Sequence, residues 1–487
     1  MSTSNILETM KSLREKVNWD NEEERREFIY KISFMVLRLD GPIPNIRNVL
    51  QSEEIECLLV DSIIYRNGPG FGIAGVSGKL FIQVLVKKFG YKDEPKLDED
   101  GKPLLHRNTP LHRAIRLHST GCFIDWQVFG WLFTIYDRFD VNYIDEYGFM
   151  HFHAACISPN CIDAVEKFLQ LGQDPNCLVP ETGDSPLHLA LFSALKHGQK
   201  NVFKLLIRSG ADPNLANKDG LTLLHVISTK HESSFEDDDL ADMFFQISNE
   251  KHQTVLVDAR DNLGRTSLQL AVIDLKPNTV DTLLNHGADL SNFIFPTENY
   301  FGGLWKSHDP DSFNDPTNQL RLASSVLTVV ERLEKRGYEL DRSNVQTIVA
   351  FFAKYKLFEK LVDLEERWYD DEQFVSEAKA SMIKSNLSLH DLIQLPSVVG
   401  GNRLSYTEHY DFVNKLQWKI TQWHKVEACA AHLCEIILKK FCWQWALDSF
   451  MGLTRYQLPI LCCEIIIGNL KNEDLSRIFL ATGSQHL

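Results

Sequence analysis

Apolar positions in the middle of the chain recur in blocks separated by polar turns. Five blocks align: NTPLHRA from Asn108 to Ala114, FMHFHAA from Phe149 to Ala155, DSPLHLA from Asp184 to Ala190, LTLLHVI from Leu221 to Ile227 and RTSLQLA from Arg265 to Ala271. Three of them share a second half, KFLQLGQDPN, KLLIRSGADPN and TLLNHGADLSN. The anchor residues His112, His153, His188, His225 and Gln269 stand 35 to 44 residues apart. That period belongs to stacked helix pairs, in which no unit buries its apolar face alone.

The residue types fit such a unit. Thr109 and Ser185 are N-cap residues, and Pro110 and Pro186 suit a first helical turn that has no amide to donate. Ala114, Ala155, Ala190 and Ala271 are small where two helices must approach closely. The second helix is expected to bury Phe168-Leu169, Leu206-Ile207 and Leu283-Leu284, and Gly172, Gly210 and Gly287 then end it in a left-handed conformation. Asp219-Gly220 and Asn262-Leu263-Gly264 supply turns before the next unit. A degenerate unit precedes the five, since Lys79 to Pro95 reads as a second helix with its terminator. The recurring histidines lie on successive units, and Gln269 replaces one of them. They therefore read as ties between adjacent loops, and no metal site is expected.

Past the repeats, Gly, Pro, Asn and Asp crowd into Tyr300 to Leu320, which reads as a loop. Helical periodicity then returns. Val326, Val329, Val330 and Leu333 share one face up to Gly337, and Ile348, Phe351, Phe352 and Tyr355 share another. A second break is expected over Leu395 to Ser405, followed by a segment holding Trp418, Trp423, Trp443 and Trp445. The last pattern is LPILCCEIIIGNLKNEDLSRIF, from Leu458 to Phe479. Pro459 is placed to start a helix with Cys462, Ile466 and Leu470 on one broad apolar face beside Leu461 and Ile465. Asn472 is expected to cap a second short helix.

Composition narrows the function. With 487 residues, 44% of them hydrophobic and 24% charged, most of the chain should fold into more than one domain. A formal net charge of −15 without a basic run argues against nucleic-acid binding. No apolar stretch is long enough to span a bilayer, and the charged opening residues do not read as a secretory signal. The ten cysteines lack disulfide or zinc spacing and read as buried reduced thiols of a cytoplasmic protein, with the nucleus left open. Gly68 to Leu80 imitates nucleotide-binding strings. YRNGP stands where a strand should precede G-x-G-x-x-G, however, and Ile73 and Leu80 replace a P-loop glycine and its Ser/Thr. A flexible loop is expected there, and neither an enzyme nor a cofactor.

The central blocks resemble ankyrin repeats, best matched from Ser185 to Asn214. The terminal stretch resembles an F-box in the spacing of Leu458, Pro459, Ile466, Leu470, Asp474 and Leu475, although Leu461 replaces the usual Glu and the chain stops twelve residues past Leu475. Ankyrin repeats joined to such an element are similar to the PRANC-domain proteins of poxviruses, Wolbachia-type bacteria and parasitoid wasps, and the upstream segments look most like the wasp members. The expected fold is all-α. A helical segment (1–50) and a degenerate repeat (51–100) lead to the ankyrin solenoid (101–299). A loop (300–323), degenerate helical repeats (324–395) and an F-box-like PRANC domain (405–487) follow.

The resemblance implies a substrate-recognition adaptor that docks a Skp-type adaptor of a cullin-RING ubiquitin ligase through Leu458, Pro459, Cys462, Ile466, Leu470 and Leu475. An unidentified target protein would lie on the ankyrin face, at variable positions such as Arg113, Phe192, Asn217, Leu221 and Arg265. The alternative is an ankyrin scaffold or inhibitor whose C-terminus only caps the solenoid.

Overall fold

The structure is a computed structural model that describes residues 3–38, 45–64, 74–122, 124–229, 240–303, 315–358, 371–415 and 423–481. Most of the acidic run from His231 to Asp242 (up to residue 239), the Gly-rich 65–73 and Trp418 lie outside these residues. The described residues are mainly helical, with one short antiparallel hairpin, β1 (Met382–Lys384) and β2 (Leu387–Ser388). They form two compact units. The first covers Met1–Val226 and Met243–Leu256; the second covers Ile227–Lys230, Asp238–Asp242 and Val257–Leu487.

Four helices open unit 1: α1 (Thr3–Glu15), α2 (Glu22–Leu37), α3 (Ser52–Ile64) and α4 (Ala74–Lys87). The Gly-rich decoy therefore ends in a helix rather than a loop. Gly78 sits inside α4, where an added Cβ would lie 2.4 Å from the Ser62 carbonyl oxygen, so a close helix crossing requires it. Helix pairs follow: α5 (Pro110–Ser119) with α6 (Trp126–Ile135), α7 (His151–Ile157) with α8 (Ile162–Gln170), and α9 (Pro186–His197) with α10 (Lys200–Arg208). Then come α11 (Leu223–Ser228), α12 (Leu240–Glu250), α13 (Ser267–Ile273) and α14 (Pro277–Asn285). The four alanines are fully buried, as are Phe168, Leu206, Ile207 and Leu283. Gly172, Gly210 and Gly287 carry φ near +90°, as the second-helix terminators require.

One hydrogen-bond device recurs in every pair. The backbone N–H of the N-cap residue donates to the anchor imidazole Nδ1: Thr109 to His112 (3.1 Å), Met150 to His153 (3.1 Å), Ser185 to His188 (3.3 Å) and Thr222 to His225 (3.1 Å). An accepting Nδ1 leaves Nε2 as the donor, and it reaches the next hairpin, from His153 to the Cys177 carbonyl and from His188 to that of Leu221, both at 3.1 Å. In unit 2, Gln269 repeats this chemistry with an amide. Its Oε1 accepts from the Thr266 N–H (2.9 Å), and its Nε2 donates to the Ile294 carbonyl (3.4 Å). Among the described residues no cluster of ligands can hold a metal ion; His153, His188 and Gln269 tie adjacent loops.

Unit 2 continues with α15 (Pro316–Lys335), α16 (Arg342–Lys354), α17 (Glu372–Ala380), α18 (Leu389–Ile393), α19 (Ser397–Arg403), α20 (Tyr406–Lys415), α21 (Trp423–Leu453), α22 (Ile460–Gly468) and α23 (Asn472–Ala481). Two expected breaks are corrected. Helix α15 begins eight residues inside the expected loop (300–323), because Asp315 caps it by accepting from the Thr317 N–H (2.9 Å) and Pro316 fills its first turn. Part of the expected break over Leu395 to Ser405 is α19. Its Gly400 and Gly401 are buried against α21, where a Cβ on Gly401 would stand 2.9 Å from the Ile436 carbonyl oxygen. Helix α20 is held to α15 by hydrogen bonds from Thr328 Oγ1 to the Tyr406 carbonyl (2.9 Å) and from the Thr407 N–H and Oγ1 to Glu331 (2.8 and 2.7 Å).

The anchor histidines make unit 1 sensitive to acid. Burial holds the pKa of His112 and His153 at about 4, against about 6.5 in an unfolded chain. Between those values the unfolded chain binds protons that the folded one does not. Stability that is complete above pH 6.5 is therefore lost as the pH falls toward 4. From pH 7 to 5 each such histidine contributes about 2 kcal/mol of loss. His153→Gln, which copies the arrangement at Gln269, should remove its share of that loss in urea unfolding; an unchanged pH dependence would contradict this account.

Candidate functional site

Helix α22 carries a single charge, Glu464, in nine residues. The chain enters it by a reversal in which Arg455 and Tyr456 both adopt left-handed backbone, with φ of 53° and 55°. Pro459 stands at its N-cap, as expected. Its inward face consists of Cys463 and Ile467, both fully buried. The face expected to be broad and apolar points the other way. Leu461 and Ile465 are each 67% exposed, Ile460 50%, Ile466 42% and Leu458 37%. Cys462 is also exposed, and Leu470 is half-buried.

Helix α23 does the opposite. Leu475 and Phe479 are buried, and the Phe479 ring meets Trp445 edge-on at 6.2 Å. Asn472 does not cap the helix, contrary to expectation. It is the first helical residue, buried, and its Nδ2 donates to the Glu435 carbonyl of α21 (3.0 Å). Lys439 of α21 donates to the Leu470 carbonyl between α22 and α23, and burial lowers its pKa. Arg342 of α16 donates to the Phe479 carbonyl (2.7 Å) and lies over that ring. These bonds fix the hook to the helices behind it. Of the six candidate docking residues, Leu458, Pro459, Cys462 and Ile466 are thus on the surface, Leu470 is at its margin, and Leu475 belongs to the interior. The two classes separate in a stability measurement. Leu475→Ala should cost about 2–5 kcal/mol, whereas Ile466→Ala should stay within about 0.5 kcal/mol; equal losses in urea unfolding would contradict the two-faced placement.

The candidate target positions divide as well. Phe192 is exposed on α9 and lines a cavity of about 680 Å³ between the hairpins and the first helices of unit 1. Arg113 is exposed on α5 outside that lining. Asn217 and Leu221 lie in a hairpin whose turn they build. Asn217 Oδ1 accepts from the N–H groups of Asp219 and Leu221 (3.0 and 3.1 Å), and the Leu221 carbonyl accepts from His188. Asp145 makes the same turn through Tyr147 and Phe149 (2.9 and 3.0 Å), and Asp261 through Leu263 and Arg265 (3.0 and 2.8 Å). Arg265 lines a cavity of about 310 Å³ in unit 2 with Leu263, Ile294 and Tyr300, while its guanidinium pairs with Asp261 (2.7 Å). Burial opposes ionisation of Asp261, yet Arg265 and the turn amides outweigh it and hold the carboxyl below the usual range. Sequence reasoning missed Tyr147, Val179 and Glu181 in the larger cavity. The signal at Tyr147 and Glu181 was an exposed position beside a turn, whereas Val179 is buried and its backbone pairs with Asp184 and Gly183.

The family model for ankyrin repeats in three copies matches residues 187–293, and a second ankyrin-repeat model of many copies matches 152–207. The chain is similar to palmitoyltransferase AKR1 of Kluyveromyces lactis, 33% identical over 140 residues, which are 29% of this chain and 17% of that protein. It is also similar to human BCL-6 corepressor-like protein 1, 32% identical over 107 residues, which are 22% of this chain and 6% of that protein. The chain thus spans less than a fifth of the length of either relative. Among the described residues no helix is long and apolar enough to cross a membrane. The anchors, the capped first helices and the glycine-terminated second helices are those of ankyrin repeats, and the chain contains an ankyrin-repeat, protein-binding array.

Proposed function

We propose that the chain is a two-surface adaptor. The ankyrin array holds a target protein, and the outward face of α22 docks a Skp-type adaptor of a cullin-RING ubiquitin ligase, as the resemblance to PRANC-domain proteins implies. Ubiquitin transfer then belongs to the partner subunits, and this chain contributes proximity between target and ligase. The observation that carries this reading is the exposure of Ile460, Leu461, Ile465 and Ile466 on α22, with Leu458 exposed just before it, on a hook whose neighbouring elements are tied down. A contiguous apolar face of this kind on an otherwise packed element marks an interaction surface. A few large side chains of this type seated in a groove dominate the energy of such contacts. The relatives' printed names do not transfer, because the share of each that is covered is too small for a palmitoyltransferase activity or a corepressor role to follow.

A second reading, an ankyrin scaffold whose C-terminus caps the helices behind it, draws on the burial of Cys463, Ile467, Leu475 and Phe479. Both roles fit one hook, since they use different residues. Co-purification with a Skp adaptor–cullin pair separates them. The full chain should be retained, and Leu458→Ala with Ile466→Ala should abolish retention while the helical signal stays unchanged. Equal retention of the double variant, or no retention of the full chain, would leave the cap as the only role of the hook.

A further inference from the structure

The larger cavity of unit 1 has a chemistry of its own. Its apolar lining includes Phe149, Val179 and Leu189, and two aromatic rings, Tyr147 (46% exposed) and Phe192 (37% exposed), rise at its rim. Its volume of about 680 Å³ is that of a binding cleft rather than of a packing defect.

The charged residues that line it do not balance. Arg116 is engaged, with its guanidinium 2.5 Å from Asp145 Oδ2 and over the Tyr147 ring at 3.9 Å. Burial opposes ionisation of Asp145, but Arg116 and the Phe149 and Tyr147 amides outweigh it, so the pair is a fixed, neutral element of the wall. His188 is committed to Ser185 and Leu221 as a neutral imidazole. Glu181 and Asp184 remain. Glu181 is exposed on the hairpin, and Asp184 uses one oxygen to accept from Asn217 Nδ2 (3.0 Å). The aromatic faces already hold cations of this chain, Arg116 over Tyr147 and Lys196 over Phe192 at 5.4 Å. An incoming cation is therefore directed to the carboxylates.

We propose that this cavity receives a large apolar side chain of the target protein, with a lysine or arginine a few residues away seated against Glu181 and Asp184. This deepens the adaptor reading and rests on it, since it takes the array to be the surface that holds the target. The apolar group enters the cleft between Tyr147 and Phe192, where rigid aromatic contact area carries affinity. The two carboxylates select against acidic segments and speed encounter with basic ones. An acidic chain with an apolar cleft thus reads an apolar-basic motif.

The test is a random peptide display library selected on the immobilised full chain, followed by fluorescence anisotropy with the enriched peptides. The expected peptides pair a leucine or an aromatic residue with a nearby lysine or arginine. Phe192→Asp should weaken them at least tenfold. Glu181→Lys should weaken them several-fold, and changing the peptide's lysine to glutamate should restore binding to that variant. Both positions are exposed, and the charge-swap rescue reads recognition rather than folding. No enrichment, enrichment without basic residues, or binding indifferent to both substitutions overturns the proposal. The ligase-docking assay uses α22 and neither of these variants, so failure there leaves this result standing, and failure here leaves that one standing.

Discussion

A neutral side chain that accepts at one end and donates at the other holds the repeat array together. Each anchor receives the N-cap amide of its own helix, and His153, His188 and Gln269 return a hydrogen bond to a carbonyl of the following hairpin. An imidazole does this only in one tautomer, and a primary amide does it without titrating. Burial enforces the neutral state at His112 and His153. With loops fixed in this way, exposed residues beside the turns, such as Tyr147 and Glu181 in unit 1 and Leu263 in unit 2, are left to face solvent. They line the cleft in unit 1 and the smaller cavity in unit 2.

The C-terminal hook follows a different logic. Helix α22 is apolar except at Glu464, so composition does not say which face turns inward. Specific contacts decide. Lys439 and Asn472 place the join of α22 and α23 on α21, and Arg342 fixes the far end of α23. Cys463 and Ile467 are thereby the inward pair, and the adjacent residues Cys462 and Ile466 are turned out. A hook fastened by three such bonds keeps its outer face in place without a partner.

What the sequence made legible was whatever depends on a local rule. Capping threonines and serines, small alanines at helix crossings and terminal glycines each have one physical job, so their spacing declares it. Where one residue type has two jobs, the reading failed. Gly400 and Gly401 suit a break by type, yet they allow a close helix crossing. Asp315 and Pro316 have the composition of a loop, yet together they cap and start α15. Asn472 has a capping residue's type but serves as a tether. The cleft in unit 1 was legible only at Phe192, because its other walls come from separate hairpins whose residues are brought together by the stack. The match to an F-box spacing marks a candidate docking element but cannot say that Leu475 lies inside and Ile466 outside.

The pair Cys462-Cys463 offers the most direct test of the two-faced hook. Native thiol alkylation of the full chain, read by mass spectrometry of the peptide that holds both, reports each face separately. The account predicts rapid labelling of Cys462, labelling of Cys463 only on unfolding, and slowing at Cys462 when a Skp adaptor–cullin pair is added. Equal labelling of both thiols in the folded chain would contradict the packing of the hook, and an unchanged rate at Cys462 with the adaptor pair present would contradict its docking role.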